Sequence, residues 1–201
     1  MNIPTSPIVA AKALFANQAA YAANPDPAAL AVNKIALILA WNGPLYPVYV
    51  VFLLGRDALP WSLLTLPISP FFYAIPWLSR QSSRAGRIVM PLIGATNTIW
   101  CMKLFGAPSG VGTFLYPCIM LAALLYRQSE RGLMLPLVGL MVALEFLPDS
   151  VIGAPIMTLT AVESAHLAAL NEGSVAFLLA FIVFQLVNIA RDPEANLGSA
   201  L

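Results

Sequence analysis

Residues 34–54 read KIALILAWNGPLYPVYVVFLL, and after Lys34 no charge interrupts the run. About 20 apolar residues in helical conformation cross the hydrocarbon core of a bilayer. A helix satisfies its own backbone polar groups there, so the stretch predicts a transmembrane helix. Working outward, apolar runs recur at Pro60–Leu78, Ile88–Phe105, Val111–Tyr126, Leu133–Leu147 and Gly173–Ala190. The fourth and fifth are short and need snorkelling ends or a locally thinner bilayer to span. The predicted fold class is all-α, a polytopic membrane protein built as a bundle of six transmembrane helices. An N-terminal interfacial helix and a short outer-face helix between spans five and six complete it. With 60% hydrophobic and 9% charged residues, and a mean hydropathy of +0.82, the composition excludes a soluble globular domain.

Six spans place both termini on one side. Lys12, Lys34, Arg80, Arg84, Arg87, Arg127, Arg131 and Arg191 fall on that side, and Arg56 and Lys103 on the other. Basic residues concentrate in cytoplasmic loops, so the termini and loops 79–87 and 127–132 are predicted to be cytoplasmic. The expected location is a bacterial-type inner membrane, multi-pass. Residues 1–27 then form an N-terminal cytoplasmic or interfacial segment, 28–191 the six-helix domain and 192–201 a short cytoplasmic tail. No basic region precedes an apolar core at the N-terminus, so span one is expected to be an uncleaved insertion signal.

Ile8–Ala22 is alanine-rich and too polar to span, which suits a helix lying at the cytoplasmic interface. Asn24-Pro25-Asp26-Pro27 breaks the chain after it, because proline removes a donor and restricts its predecessor. Prolines 44, 47, 67, 70, 76, 91, 117 and 136 lie inside the spans and permit kinks. Pro148–Glu172 is the one long outer connection. Within it Thr160-Ala161-Val162-Glu163 has the capping-box form, predicting a separate helix over about Ala161–Leu170 with Leu159, Val162, Leu167 and Leu170 on its buried side. Arg191-Asp192-Pro193-Glu194 is expected to stop the last helix.

Candidate sites are few. The net charge of +1 gives no basis for a nucleic-acid partner. Cys101 and Cys118 lie in apolar spans without metal-ligand spacing and read as buried free thiols. Glu145 is the one carboxylate inside the apolar region, either snorkelling to water or lining a ligand pocket. Thr96, Asn97 and Thr98 sit beside Trp100 in span three, and with Asn42, Gln185 and Asn188 they can bond between helices or face a ligand. His166, the single histidine, lies on the predicted outer helix. The ligand or interaction candidates are therefore Thr96, Asn97, Trp100, Glu145 and His166. No metal site, catalytic motif or identifiable cofactor emerges, and no enzyme activity is expected.

Three short stretches carry a family resemblance. Span three ends in Leu104-Phe105-Gly106-Ala107-Pro108-Ser109-Gly110, and span four is followed by the charged turn Arg127-Gln128-Ser129-Glu130-Arg131. Span five ends in Leu144-Glu145-Phe146-Leu147-Pro148. In this order they resemble the six-helix membrane domain that precedes bacterial class III adenylate cyclases and some histidine kinases and diguanylate cyclases, over residues 34–190. The resemblance implies cytoplasmic termini, a possible homodimer and ligand sensing through a membrane or cytoplasmic partner protein. In that family span six continues into a signalling helix and an output domain. Here Asp192-Pro193 is expected to end the helix, so no cyclase or kinase chemistry carries over. The expected function is a non-catalytic membrane sensor or regulatory module, with membrane lipids around it and a ligand from the membrane or outer face. The alternatives are an accessory subunit of a larger membrane complex, holding lipid, quinone or pigment, and a small transporter.

Overall fold

The computed structural model describes the backbone of residues 7–126 and 128–198 and the side chains of 12–126 and 129–188. Arg127, the side chain of Arg191 and the end of the predicted tail lie outside the described residues. The described chain is helical throughout, with no strand. Helix α1 covers Pro7–Ala22, α2 Pro27–Asn42, α3 Tyr46–Leu54, α4 Leu59–Leu63 and α5 Ser69–Gln81. Then follow α6 Ser83–Phe105, α7 Leu115–Leu124, α8 Arg131–Glu145, α9 Asp149–Ile152 and α10 Ala161–Gly198.

Four helical stretches are long and apolar enough to cross a membrane: Pro27–Leu54, Arg56–Gln81, Ser83–Phe105 and Ala161–Asn188. Val111–Leu124 is apolar but shorter, and α8 has 15 residues, about 22 Å at 1.5 Å per residue. Large apolar side chains point outward from the bundle; Phe52 is 87% exposed and Phe177 70%. Such a surface suits lipid contact rather than water.

The first two predicted spans are interrupted helices. Between α2 and α3 the chain makes a 3₁₀ turn at Gly43–Leu45, and between α4 and α5 another at Leu66–Ile68. Pro44, Pro47, Pro67 and Pro70 lack the amide hydrogens that would close the regular ladder across these points. The two turns pack together. A β-carbon on Gly43 would stand 2.1 Å from Ser69 Oγ, so glycine sets how closely the interrupted helices approach.

Two expectations about the last helix need correction. The predicted outer helix over Ala161–Leu170 is not separate from span six, and Asp192-Pro193 does not stop the chain: α10 runs unbroken from Ala161 to Gly198. Its start is as expected, for Thr160 N donates to Glu163 Oε2 at 2.8 Å and Glu163 N to Thr160 Oγ1 at 3.2 Å. The helix continues because Leu167, Asn171, Val175, Leu178, Ile182 and Gln185 are all buried at spacings of three or four. One stripe thus passes straight through Asn171-Glu172-Gly173. A helical glycine costs only about 1 kcal/mol against alanine, and packing of that stripe outweighs it. Pro193 removes one ladder bond, but its fixed φ is helical.

The core is centred on α2. Val32, Ile35 and Ala36 meet Phe72 and Ile75 of α5, Met90 of α6, Leu121 of α7 and Ile182 of α10. Leu137 and Met141 attach α8 to Ala95, Leu115 and Ala122. Helix α1 is held at its C-terminal end, where Tyr21 stacks on Tyr73 at 5.0 Å and lies under the Arg80 guanidinium at 4.9 Å. The Tyr21 hydroxyl donates to Tyr73 O at 3.0 Å. Burial and the nearby Tyr73 push its phenol above the ordinary tyrosine value.

Candidate functional site

A cavity of about 110 Å³ lies where α2, α3, α5, α6, α7 and α10 converge. The 3₁₀ turns of the interrupted helices border it through Gly43 and Ile68, and Gly94 on α6 lets Cys118 approach closely, since a β-carbon there would stand 2.7 Å from Cys118 Sγ. The walls are mostly apolar, with Ile35, Phe72, Met90, Phe114 and Leu121 among them, and no acidic, basic or histidine side chain lines the space. Polar groups come from Asn42, Tyr46, Thr65, Asn97 and Thr98, and both thiols face it.

Most of these polar groups are already occupied. Thr98 Oγ1 donates to Gly94 O at 2.9 Å and Thr65 Oγ1 to Ser62 O at 2.7 Å. Tyr46 donates its hydroxyl to Asn171 Oδ1 at 3.1 Å, and Asn171 Nδ2 in turn donates to Ser109 O at 2.9 Å. Asn97 is different. Its Oδ1 receives only a long contact from the Cys101 thiol at 3.8 Å, and its amide nitrogen makes no hydrogen bond among the described residues. The Asn42 side chain likewise makes none there, and Asn42 is the one exposed residue of the lining.

Of the five candidates, only Asn97 lines the cavity. Thr96 faces outward and bonds back to Leu92 O at 2.8 Å; Trp100 is exposed and its indole donates to Leu64 O at 2.8 Å, tying α6 to the end of α4. Glu145 closes α8 away from the cavity, beside the Tyr116 phenol, and its Oε2 is buried without a hydrogen-bond partner. His166 is exposed on α10. No group of three or more metal-ligating side chains forms among the described residues.

The Leu104–Gly110 stretch forms a tight turn. Gly106 and Gly110 take φ of +79° and +73°, flanking a 3₁₀ turn over Ala107–Ser109. The connection after α9 covers this end of α6: Ile156 N and Met157 N donate to Lys103 O and Leu104 O, each at 2.9 Å. Lys103 Nζ donates to Ala154 O at 2.7 Å.

The opposite end of α6 holds a cluster the sequence did not reveal. Arg87, with a side chain 5% exposed, donates to Glu130 through Nη1 at 2.9 Å and Nη2 at 3.1 Å, and to Leu125 O at 2.7 Å. Asp26 Oδ2 lies 3.6 Å away and the Tyr126 ring 5.6 Å. Asp26 also caps α2, accepting from Ala28 N at 2.9 Å. One buried guanidinium therefore joins the start of α2, the start of α6 and the segment between α7 and α8. A forked cation suits this geometry because it bonds a carboxylate with two parallel donors.

Comparison with protein-family models, with curated proteins and with solved structures finds no match. The functional reading rests on these two sites on α6.

Proposed function

We propose that this chain is a non-catalytic integral membrane module that senses a small molecule within its helical bundle and acts through a partner protein. In this reading six helices cross the bilayer, with α7 and α8 spanning at a thinned or snorkelled boundary, and the Arg87 end is cytoplasmic. The observation that carries the proposal is the double role of α6. Met90, Asn97 and Cys101 line the cavity, while Arg87, less than a turn before Met90, holds the charged cluster. A ligand that changes how α6 sits against α2 and α7 bears directly on the geometry of that cluster. The resemblance to cyclase-associated membrane domains points the same way.

Isolation from the native membrane in mild detergent tests the reading. Expected is a monomer or homodimer carrying a lipid-like molecule, with a partner whose recovery changes when that molecule is stripped. A fixed-stoichiometry assembly indifferent to the ligand refutes sensing and favours an accessory subunit.

A further inference from the structure

We infer that the cavity takes an uncharged, ring-sized carbonyl compound delivered sideways from the lipid. The inference rests on the ligand-binding reading above and adds the ligand's chemistry. Size limits the occupant first. About 110 Å³ is somewhat less than the roughly 150 Å³ apolar cavity that holds benzene, so the occupant is no larger than a single small ring and a folded acyl chain does not fit.

Charge is excluded next. With no ionisable acid, base or imidazole in the lining, an ion would lose its hydration without a counter-charge. The wall chemistry then selects an acceptor. The Asn97 amide nitrogen is an uncommitted donor facing an otherwise apolar space, and the Asn42 amide is a second one at the rim. The Asn97 Oδ1 already takes the Cys101 thiol contact, which leaves the amide nitrogen as the open group, and a carbonyl oxygen supplies the complement of an amide donor.

The route follows from the fold. Asn42 stands at the interruption between α2 and α3, within the long apolar stretch Pro27–Leu54, so the rim opens at membrane depth rather than at either end.

The test uses full-length protein in phosphatidylcholine nanodiscs and a cyclohexanone carrying a photoreactive diazirine. Labelled residues are mapped by mass spectrometry, and labelling is competed with cyclohexanone or methylcyclohexane. The two competitors match in shape and differ in the acceptor. Expected is labelling within Gly94–Cys101 and Phe114–Leu121, with cyclohexanone competing about tenfold better, the effect of one hydrogen bond. Asn97→Leu should abolish that preference while methylcyclohexane still competes, which a misfolded variant would not do. Should the variant not fold, the wild-type competition ratio decides alone.

Labelling spread over the lipid-facing surface, or equal competition by the two rings, overturns the inference. If labelling misses the cavity while the native protein still carries a ligand that governs its partner, the sensing reading stands and this one falls. If the cavity labels as expected but partner recovery ignores occupancy, the cavity assignment stands and sensing falls.

Discussion

Replacing Gly110 with alanine tests how firmly the turn after α6 is seated on α10. Gly110 has φ +73° and ψ 2°, a left-handed conformation that costs an L-residue about 1–2 kcal/mol. The added β-carbon would also stand 2.9 Å from Ala168 Cα and 3.1 Å from Ala168 Cβ. The obstacle is backbone of a long helix and cannot rotate aside, so overpacking adds about 1–3 kcal/mol. The expected loss is roughly 2–5 kcal/mol from these two terms, and Gly110→Val should lose at least as much. Two further substitutions separate the terms. Gly173 lies inside α10 with nothing within 4 Å of a built β-carbon, so Gly173→Ala should be neutral or stabilise by up to about 1 kcal/mol. Asparagine tolerates the left-handed region, so Gly110→Asn removes part of the backbone strain but keeps the collision. Unfolding of detergent-solubilised protein by SDS titration reads all four variants. Full recovery of wild-type stability by Gly110→Asn would mean that the collision with Ala168 is absent and that α10 does not rest on this turn.

Other outcomes follow from the same structure. Arg87→Met leaves Glu130 and Asp26 without their shared cation and should cost about 3–5 kcal/mol by SDS titration; a loss under about 1 kcal/mol would show the cluster to be solvated. Asn171→Leu leaves the Tyr46 hydroxyl and Ser109 carbonyl unpaired, with an expected loss of about 1–3 kcal/mol, largely relieved on the Tyr46 side by adding Tyr46→Phe. Topology reporters after Leu201 and within Gln81–Ser83 should read cytoplasm, and one within Pro155–Thr158 the outer side. A C-terminus on the outer side would refute six crossings.

The sequence revealed helices more readily than their interruptions and contacts. Each of the four long helical stretches carries one of the apolar runs, but α10 begins at Ala161, well ahead of the run Gly173–Ala190. The join across Asn171-Glu172-Gly173 escaped notice because polarity and a glycine suggested an end there. The deciding signal was the spacing Leu167, Asn171, Val175, Leu178, Ile182, which keeps one face through the polar interval. Asn97 could be found as a polar residue in an apolar run. Its distinction from Thr96 and Trp100 could not, since that depends on which side of α6 meets the interrupted helices. In the sequence Arg87 is one more charge that sets orientation. Nothing local distinguishes it from Arg84, whose side chain is 64% exposed; burial comes from Asp26 and Glu130, brought together only by tertiary packing.

The two sites on α6 differ in the kind of constraint they impose, and that difference is what makes a sensing role physically coherent. The cavity end is loosely specified: apolar walls, interrupted helices and uncommitted amides tolerate small changes in occupancy and position. At the other end, Arg87 is directional, because its fork meets Glu130 at 2.9 and 3.1 Å and Leu125 O at 2.7 Å. A displacement of well under 1 Å at such distances weakens charge-assisted bonds in surroundings that exclude water. Helix α6 is a single 23-residue element between them, stiff enough to carry a shift from one end to the other despite Pro91. Under the proposed function, ligand binding is soft where it occurs and sharp where it is read, and the reading point lies in the loops expected to be cytoplasmic.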